Sequence, residues 1–148
     1  MGGKGLQETG IGASFSLGIS NNETFAKIED GAIINAASSV TISAVAEHVN
    51  NTTAKGGAAG GKAITPVVAI AMAFNETLAS IGTLAGNPLS VDGDVTIEAS
   101  EANDTTSNAE AAAKGSTALG AALALTITED HANTKLLRNL VSTAGALM

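Results

Sequence analysis

The sequence predicts an all-β fold of repeated layers, on three observations: a long segment that recurs, apolar residues spaced by two, and Asn-rich steps at even intervals. The segment Ile19-Ser20-Asn21-Asn22-Glu23-Thr24-Phe25-Ala26-Lys27-Ile28 returns 53 residues later, without a gap, as Met72-Ala73-Phe74-Asn75-Glu76-Thr77-Leu78-Ala79-Ser80-Ile81. Val40-Thr41-Ile42-Ser43-Ala44 returns as Val95-Thr96-Ile97-Glu98-Ala99, and Asn50-Asn51-Thr52-Thr53 returns as Asn103-Asp104-Thr105-Thr106. A third copy opens at Leu119. These matches divide the chain into an unstructured lead-in over 1–10, one repeat domain over 11–128, and a divergent or capping end over 129–148. The repeat domain holds copies at 11–63 and 64–118 and a partial third copy at 119–128.

Within each copy, Asn- and Asp-rich steps fall at Asn21-Asn22, Asn50-Asn51, Asn75-Glu76, Asn103-Asp104 and Glu129-Asp130, spaced by roughly 27 residues. Asn and Asp tolerate left-handed backbone angles and bond their own backbone, so such steps are expected at sharp reversals. Asn22, Asn50, Asn51, Asn75, Asn103 and Asp130 are therefore the expected structural corners.

Between the steps the apolar period is two, which specifies strands. Ile11, Ala13, Phe15, Leu17 and Ile19 share one face, and Gly12, Ser14, Ser16, Gly18 and Ser20 share the other. Ile64 to Met72 opposes Thr65 to Ala73 by the same rule, and Leu119 to Ile127 opposes Gly120 to Thr128; in these two copies both faces read as buried. A face of tiny side chains permits close approach of another backbone layer, for which the Gly/Ala runs Ala54 to Gly61 and Ala109 to Gly115 are the expected partners. A second strand type, Val40-Ile42-Ala44 against Thr41-Ser43 and Val95-Ile97 against Thr96-Glu98, has a wet side, so a polar ribbon is expected there.

The last segment breaks the pattern. Thr128, Glu129 and Asp130 read as a cap and first turn, and Ala132, Leu136, Leu137, Leu140, Val141 and Ala144 follow helical spacing before Gly145. A C-terminal helix covering one end of the stack is expected, because repeat stacks need end caps.

Two architectures satisfy these features. The favoured one is a β-solenoid with coils of about 27 residues, in which the Asn steps align as a ladder of mutually bonded amides. The alternative makes each Asn step a hairpin turn in stacked antiparallel hairpins or a β-sandwich. The repeat style, with Gly-Ala-Ser-hydrophobic strands such as Ile11 to Ile19, an Asn-Asn or Asn-Glu-Thr step and a Val-Thr-Ile strand, resembles that of very large bacterial surface proteins. These are filamentous-haemagglutinin-like adhesins and autotransporter passengers. The resemblance spans most of residues 10 to 128 and implies export, a cell-surface or secreted location, and a role in adhesion, biofilm or surface layers.

Composition narrows the function classes. Hydrophobic residues are 45% but aromatics only 2%, with three Phe and no Trp or Tyr, so the core consists of small aliphatics and offers little to grip a flat ligand. A net charge of −7 with seven scattered Lys and Arg argues against nucleic acid. The absence of Cys excludes disulfides and thiolate metal sites. The longest apolar run, Ala63 to Phe74, is about twelve residues, short of the roughly 20 of a membrane helix, so no membrane insertion is expected. No secretory signal is evident, Leu6 breaks a myristoylation start, and Met1 reads as the start of an excised segment.

His48 and His131 are the two histidines, and both read as surface or strand-end residues with no partner set for catalysis. Gly60-Gly61-Lys62 lacks the other elements of a phosphate loop and is better explained by close packing. Val91-Asp92-Gly93-Asp94 is the candidate calcium site, with Asp92 and Asp94 as ligands, although no acidic ladder repeats in each copy and turn chemistry explains the pair more simply. The Asn-x-Thr triplets read as repeat geometry, not as glycosylation acceptors, and the two Thr-Thr pairs are too few for an ice-binding array. No cofactor and no enzymatic activity are expected. The favoured function is a structural repeat module, a spacer or lattice element that self-associates or stacks on neighbouring repeats of a longer chain. A carbohydrate- or protein-binding module using the polar strand face, and a polysaccharide-acting enzyme, are the alternatives.

Overall fold

The structure is a computed structural model; it describes residues 8–35, 37–85, 87–144 and 147. The described residues form strands and no helix: β1 (Thr9–Ile11), β2 (Ser14–Ile28), β3 (Val40–Ala59), β4 (Lys62–Ile81), β5 (Leu89–Val91), β6 (Val95–Lys114), β7 (Thr117–Leu136) and β8 (Leu140–Ser142). Residues 1–7 of the expected lead-in lie outside the described residues, and strand structure begins at Thr9.

One sheet places β4 between β2 and β7, with β1 also on β4; a second pairs β3 with β6; a third pairs β5 with β8. β1 runs parallel to β4 with Ile11 beside Ile64, and β5 runs parallel to β8 with Leu89 beside Leu140. Backbone bonds at the strand ends show the same sense for the long pairs. Gly12 N donates to Ile64 O and Gly82 N to Ile28 O, Thr117 N to Gly61 O and Leu137 N to Ile81 O, Val40 N to Asp94 O and Gly60 N to Lys114 O. Each partner is thus one long sequence repeat away, and the roughly 27-residue step does not relate hydrogen-bonded neighbours. The ladder lapses at Gly12-Ala13, opposite Pro66 by the Ile11–Ile64 register; proline has no N–H to offer there.

Two expectations are corrected here. The Asn steps are not corners: Asn22, Asn50, Asn51, Asn75, Asn103 and Asp130 all lie inside long strands. In β2, β3 and β4 the in-and-out alternation keeps its phase straight through them, so hairpins pivoting on those residues are absent. The short reversals are instead Gly60-Gly61, between β3 and β4, and Gly115-Ser116, between β6 and β7. They stack on each other through Gly60 N to Lys114 O (3.0 Å) and Ser116 Oγ to Gly61 O (2.7 Å). The C-terminal helix is also absent, because β7 continues through Thr128–Asp130 to Leu136. Backbone pairing with β4 outweighs the local capping and helical spacing, a tertiary override of a weak local preference.

The chain divides into two compact units, and each long strand lends a stretch to both. Unit 1 comprises Met1–Ser20, Val49–Ala73 and Asp104–Thr128; unit 2 comprises Asn21–His48, Phe74–Asn103 and Glu129–Met148.

Unit 1 has a thin interior of Ala54, Val67 and Ala69, with Ala109 and Ala111 packed against them. The tiny face of β2 does meet the Gly/Ala run of β3. A Cβ on Gly12 would fall 2.1 Å from Gly57 O, and one on Gly18 would fall 2.1 Å from Thr52 Oγ1, so only glycine fits at these two positions. Gly120 of β7 similarly faces Ala111 of β6. The bulky face of these strands points outward: Phe15 is 65% exposed, Ile19 63% and Leu119 62%. The expectation that both faces of Ile64–Ala73 and Leu119–Thr128 are buried is therefore corrected. Ala63 to Ala73 at odd positions is buried while Ile64 is exposed, and β7 is exposed on both sides along this stretch. Inter-layer spacing set by Gly18 and Ala69 leaves no room inside for the larger side chains.

Unit 2 reverses this arrangement. Ile42, Ala44, Ala79, Ile81, Leu89, Val91 and Val95 form its core, and Ile28, Val40, Ile97, Leu136 and Leu140 pack around it. Thr41 and Ser43 point outward, as their alternation with Val40, Ile42 and Ala44 predicts.

Candidate functional site

The polar feature with the most defined geometry lies in the inward phase of unit 2. Asn22 of β2 donates from Nδ2 to Asn75 Oδ1 of β4 at 2.8 Å, and Asn75 donates from Nδ2 to Asp130 Oδ1 of β7 at 2.7 Å. Asn103 of β6 reaches the same carboxylate, at 3.2 Å to Oδ1 and 3.4 Å to Oδ2. Parallel pairing one repeat apart places like residues side by side, so a single Asn per repeat becomes a row of linked amides. Asn75, 2% exposed, has both its oxygen and its nitrogen satisfied by this row.

The other expected corner residues stand apart from that ladder. Asn50, in unit 1, donates to Ser20 Oγ and to Met72 O, both at 3.3 Å, and so ties β3 to β2 and β4. Asn51 points outward and accepts from the Thr106 hydroxyl on the polar outer side of β3 and β6. Lys55 and Glu110 pair at 2.9 Å on that same side.

Asp92 and Asp94 occupy the bend after β5. Asp92 Oδ1 accepts from the Thr143 hydroxyl at 3.2 Å, and the Asp94 carbonyl accepts from Val40 N at 3.0 Å, both across about one sequence repeat. Among the described residues no three His, Cys, Asp or Glu side chains gather as a metal ion would require.

Unit 2 also holds an open cleft of about 210 Å³, lined by Asn21, Glu23, Phe74, Glu76, Glu129 and His131 among others. His131 Nε2 lies 2.9 Å from Glu129 Oε1. That hydrogen bond raises the imidazole above its ordinary value of 6.5, and the charges of Glu129, Glu76 and Glu101 add to the effect. The cleft is smaller than the roughly 300–1,000 Å³ of ligand pockets. No hydroxyl or thiol nucleophile is among the residues lining it. Inside the same unit, Thr77 Oγ1, both carboxylate oxygens of Glu101 and His48 Nε2 are buried without a hydrogen-bond partner.

Two residues that hold unit 2 together are not among the expected site residues, Arg138 reading from sequence as a late cation of the expected helix and Asp30 as part of a loose Glu29-Asp30 carboxylate pair. Arg138, the chain's one arginine, is buried and donates to three backbone carbonyls: Gly82 at 2.6 Å, Ala32 at 2.8 Å and Glu29 at 3.4 Å. Asp30 accepts from the backbone N (2.5 Å) and hydroxyl (2.9 Å) of Thr83. Those two bonds, with the Arg138 charge adding to them, hold its carboxyl below the ordinary 3.8. The available signal was the solitary arginine, since a guanidinium with five donors suits a junction of several loop carbonyls.

Comparison with protein-family models, curated proteins and solved structures returned no match.

Proposed function

We propose that this chain is a structural repeat module whose work is to be a stable spacer or lattice element, wound as a β-solenoid. The coil in this reading is the 53-to-55-residue sequence repeat, two long strands per coil, in place of the 27-residue coil expected from the Asn steps. The observation that carries the reading is the alignment of like residues one repeat apart, with Asn22, Asn75 and Asp130 bonded in a row and backbone partners keeping nearly the same offset. A chain that only had to bind a ligand would not need its repeats in such register; a stack that grows by adding copies does. The compositional resemblance to giant bacterial surface proteins supports placing the module in a secreted adhesin or extracellular fibre. The row of paired groups on the β3–β6 outer side, Asn51 with Thr106 and Lys55 with Glu110, supports a self-satisfied surface over a reactive one.

Inserting further copies of residues 64–118 after Ala118, where the repeat keeps its register, tests this. Each added coil should raise the thermal midpoint and lengthen the particle in solution scattering by about 4.8 Å, the spacing of neighbouring strands. Added copies that melt separately at an unchanged midpoint would overturn the proposal.

A further inference from the structure

The outward face of the β2–β4–β7 sheet in unit 1 has no use in the stacking just proposed, since stacking consumes strand edges and leaves sheet faces bare. Phe15 and Ile19 on β2, Ile64 on β4, and Leu119, Leu123 and Ile127 on β7 all present their side chains there, at 41 to 65% exposure. The phase of each strand brings these residues to one side of one hydrogen-bonded sheet. At roughly 200 Å² for a fully exposed large apolar side chain, the large exposed residues of this face present on the order of 1,000 Å² per copy. A monomer ordinarily leaves a few hundred Å² of contiguous apolar surface bare, and a stable interface takes ~800 Å² from each partner. The interior of unit 1 cannot supply the deficit, because its buried apolar side chains among the described residues are alanines and one valine.

We infer that this face packs against the same face of a second copy of the chain, sheet on sheet, as a closed two-fold dimer. Two sheets bearing alternating large aliphatics interdigitate at about 10 Å separation, and an isologous contact needs only that the face fit itself. Charge selects a second copy over a lipid surface. Strand residues 9–11, 14–20, 62–73 and 117–128 of this sheet contain one cation, Lys62, and the chain has no Trp or Tyr and a net charge of −7. A membrane-surface face takes Lys or Arg and interfacial aromatics at its rim.

Sedimentation velocity of the whole chain over a wide concentration range tests the inference. The wild type should convert from monomer to dimer and stop there, and the double variant F15K/L123K should remain monomeric with an unchanged β-type circular dichroism spectrum. Both side chains point away from the interior, so the fold does not depend on them; the milder pair Leu119→Thr with Ile127→Thr should weaken the dimer at least tenfold and serves if the lysines perturb folding. A wild type that stays monomeric, variants that dimerise as well as the wild type, or growth past the dimer would each overturn the inference. So would flotation of the wild type with phosphatidylcholine vesicles, which would assign the face to lipid. Growth past the dimer that both variant pairs retain would leave the repeat-stacking proposal intact while removing this one.

Discussion

Unit 1 and unit 2 are threaded by the same long strands yet partition their side chains in opposite ways. Unit 2 encloses Ile42, Ile81, Leu89, Val91 and Val95 and turns Glu23, Glu76, Glu129 and His131 outward. Unit 1 encloses mainly small residues, alanine and glycine with Val67, Thr52 and Thr65, and turns Phe15, Ile19, Leu119 and Leu123 outward. Alternation with period two fixes which residues share a face, but not which face is inside; the distance between layers decides that. In unit 2 the longer connections 29–39 and 82–94 add β5 and further aliphatics, so large side chains fill the gap. In unit 1 the two-residue reversals Gly60-Gly61 and Gly115-Ser116 hold the layers close, and a large residue has room only on the outside.

The sharpest way to break that contrast is to make the same truncation in both units. Ile81→Ala removes a fully buried side chain of unit 2 and should lower unfolding stability in urea by about 3–4 kcal/mol, whereas Ile19→Ala in unit 1, measured on dilute monomer, should change it by ~0.5 kcal/mol or less. Equal losses would mean that unit 1 is as well filled as unit 2. Next in size is the converse experiment, enlargement. Gly18→Val places a branched side chain where Thr52 Oγ1 already sits and should cost about 2–3 kcal/mol by the same measurement, with partial recovery on adding Thr52→Ala. A tolerated valine would refute the narrow gap.

The smallest effects are those of pH, and the two shifted groups both belong to unit 2. The folded Asp30 carboxyl lies below its ordinary 3.8, so its stabilisation is complete above that value and disappears as pH falls through the folded value. Asp30→Asn should flatten that acid limb of stability against pH. His131 lies above its ordinary 6.5, so its contribution is complete below 6.5 and disappears as pH rises through the folded value. His131→Gln should remove that slope, and an unaltered slope in either variant would show that the dependence resides elsewhere.

The strands were legible because Val40-Ile42-Ala44 and Ile11 to Ile19 alternate strictly, and the gapless 53-residue repeat at Asn22 and Asn75 was legible too, but the expected coil of about 27 residues named the wrong hydrogen-bonded neighbours. The Asn steps misled for a physical reason: asparagine stabilises a turn and also a cross-strand row, and composition alone does not separate the two. The deciding signal was present, since Gly18, Ser20, Asn22, Thr24 and Ala26 continue the parity of Ser14 and Ser16 without a slip, which no corner would allow. Thr128-Glu129-Asp130 misled likewise, because a cap reading considers only the local chain, and β4 lies 55 residues away. The outward placement of Phe15 and Leu119 was not legible, as it depends on how near the layers come and not on the pattern within either one. Within the ladder, Asn22, Asn75, Asn103 and Asp130 were found as a set for the wrong geometry, while Arg138 and Asp30 act through loop carbonyls and a loop amide that no strand pattern announces.

The amide row in unit 2 also has a sense of travel. Asn22 hands a hydrogen to Asn75, Asn75 hands one to Asp130, and the carboxylate receives with nothing to pass on. A parallel strand of like composition laid beside β7 meets an acceptor there and must arrive donor first, so strands have one favourable order of succession, and Asp130→Asn would let the relay run onward.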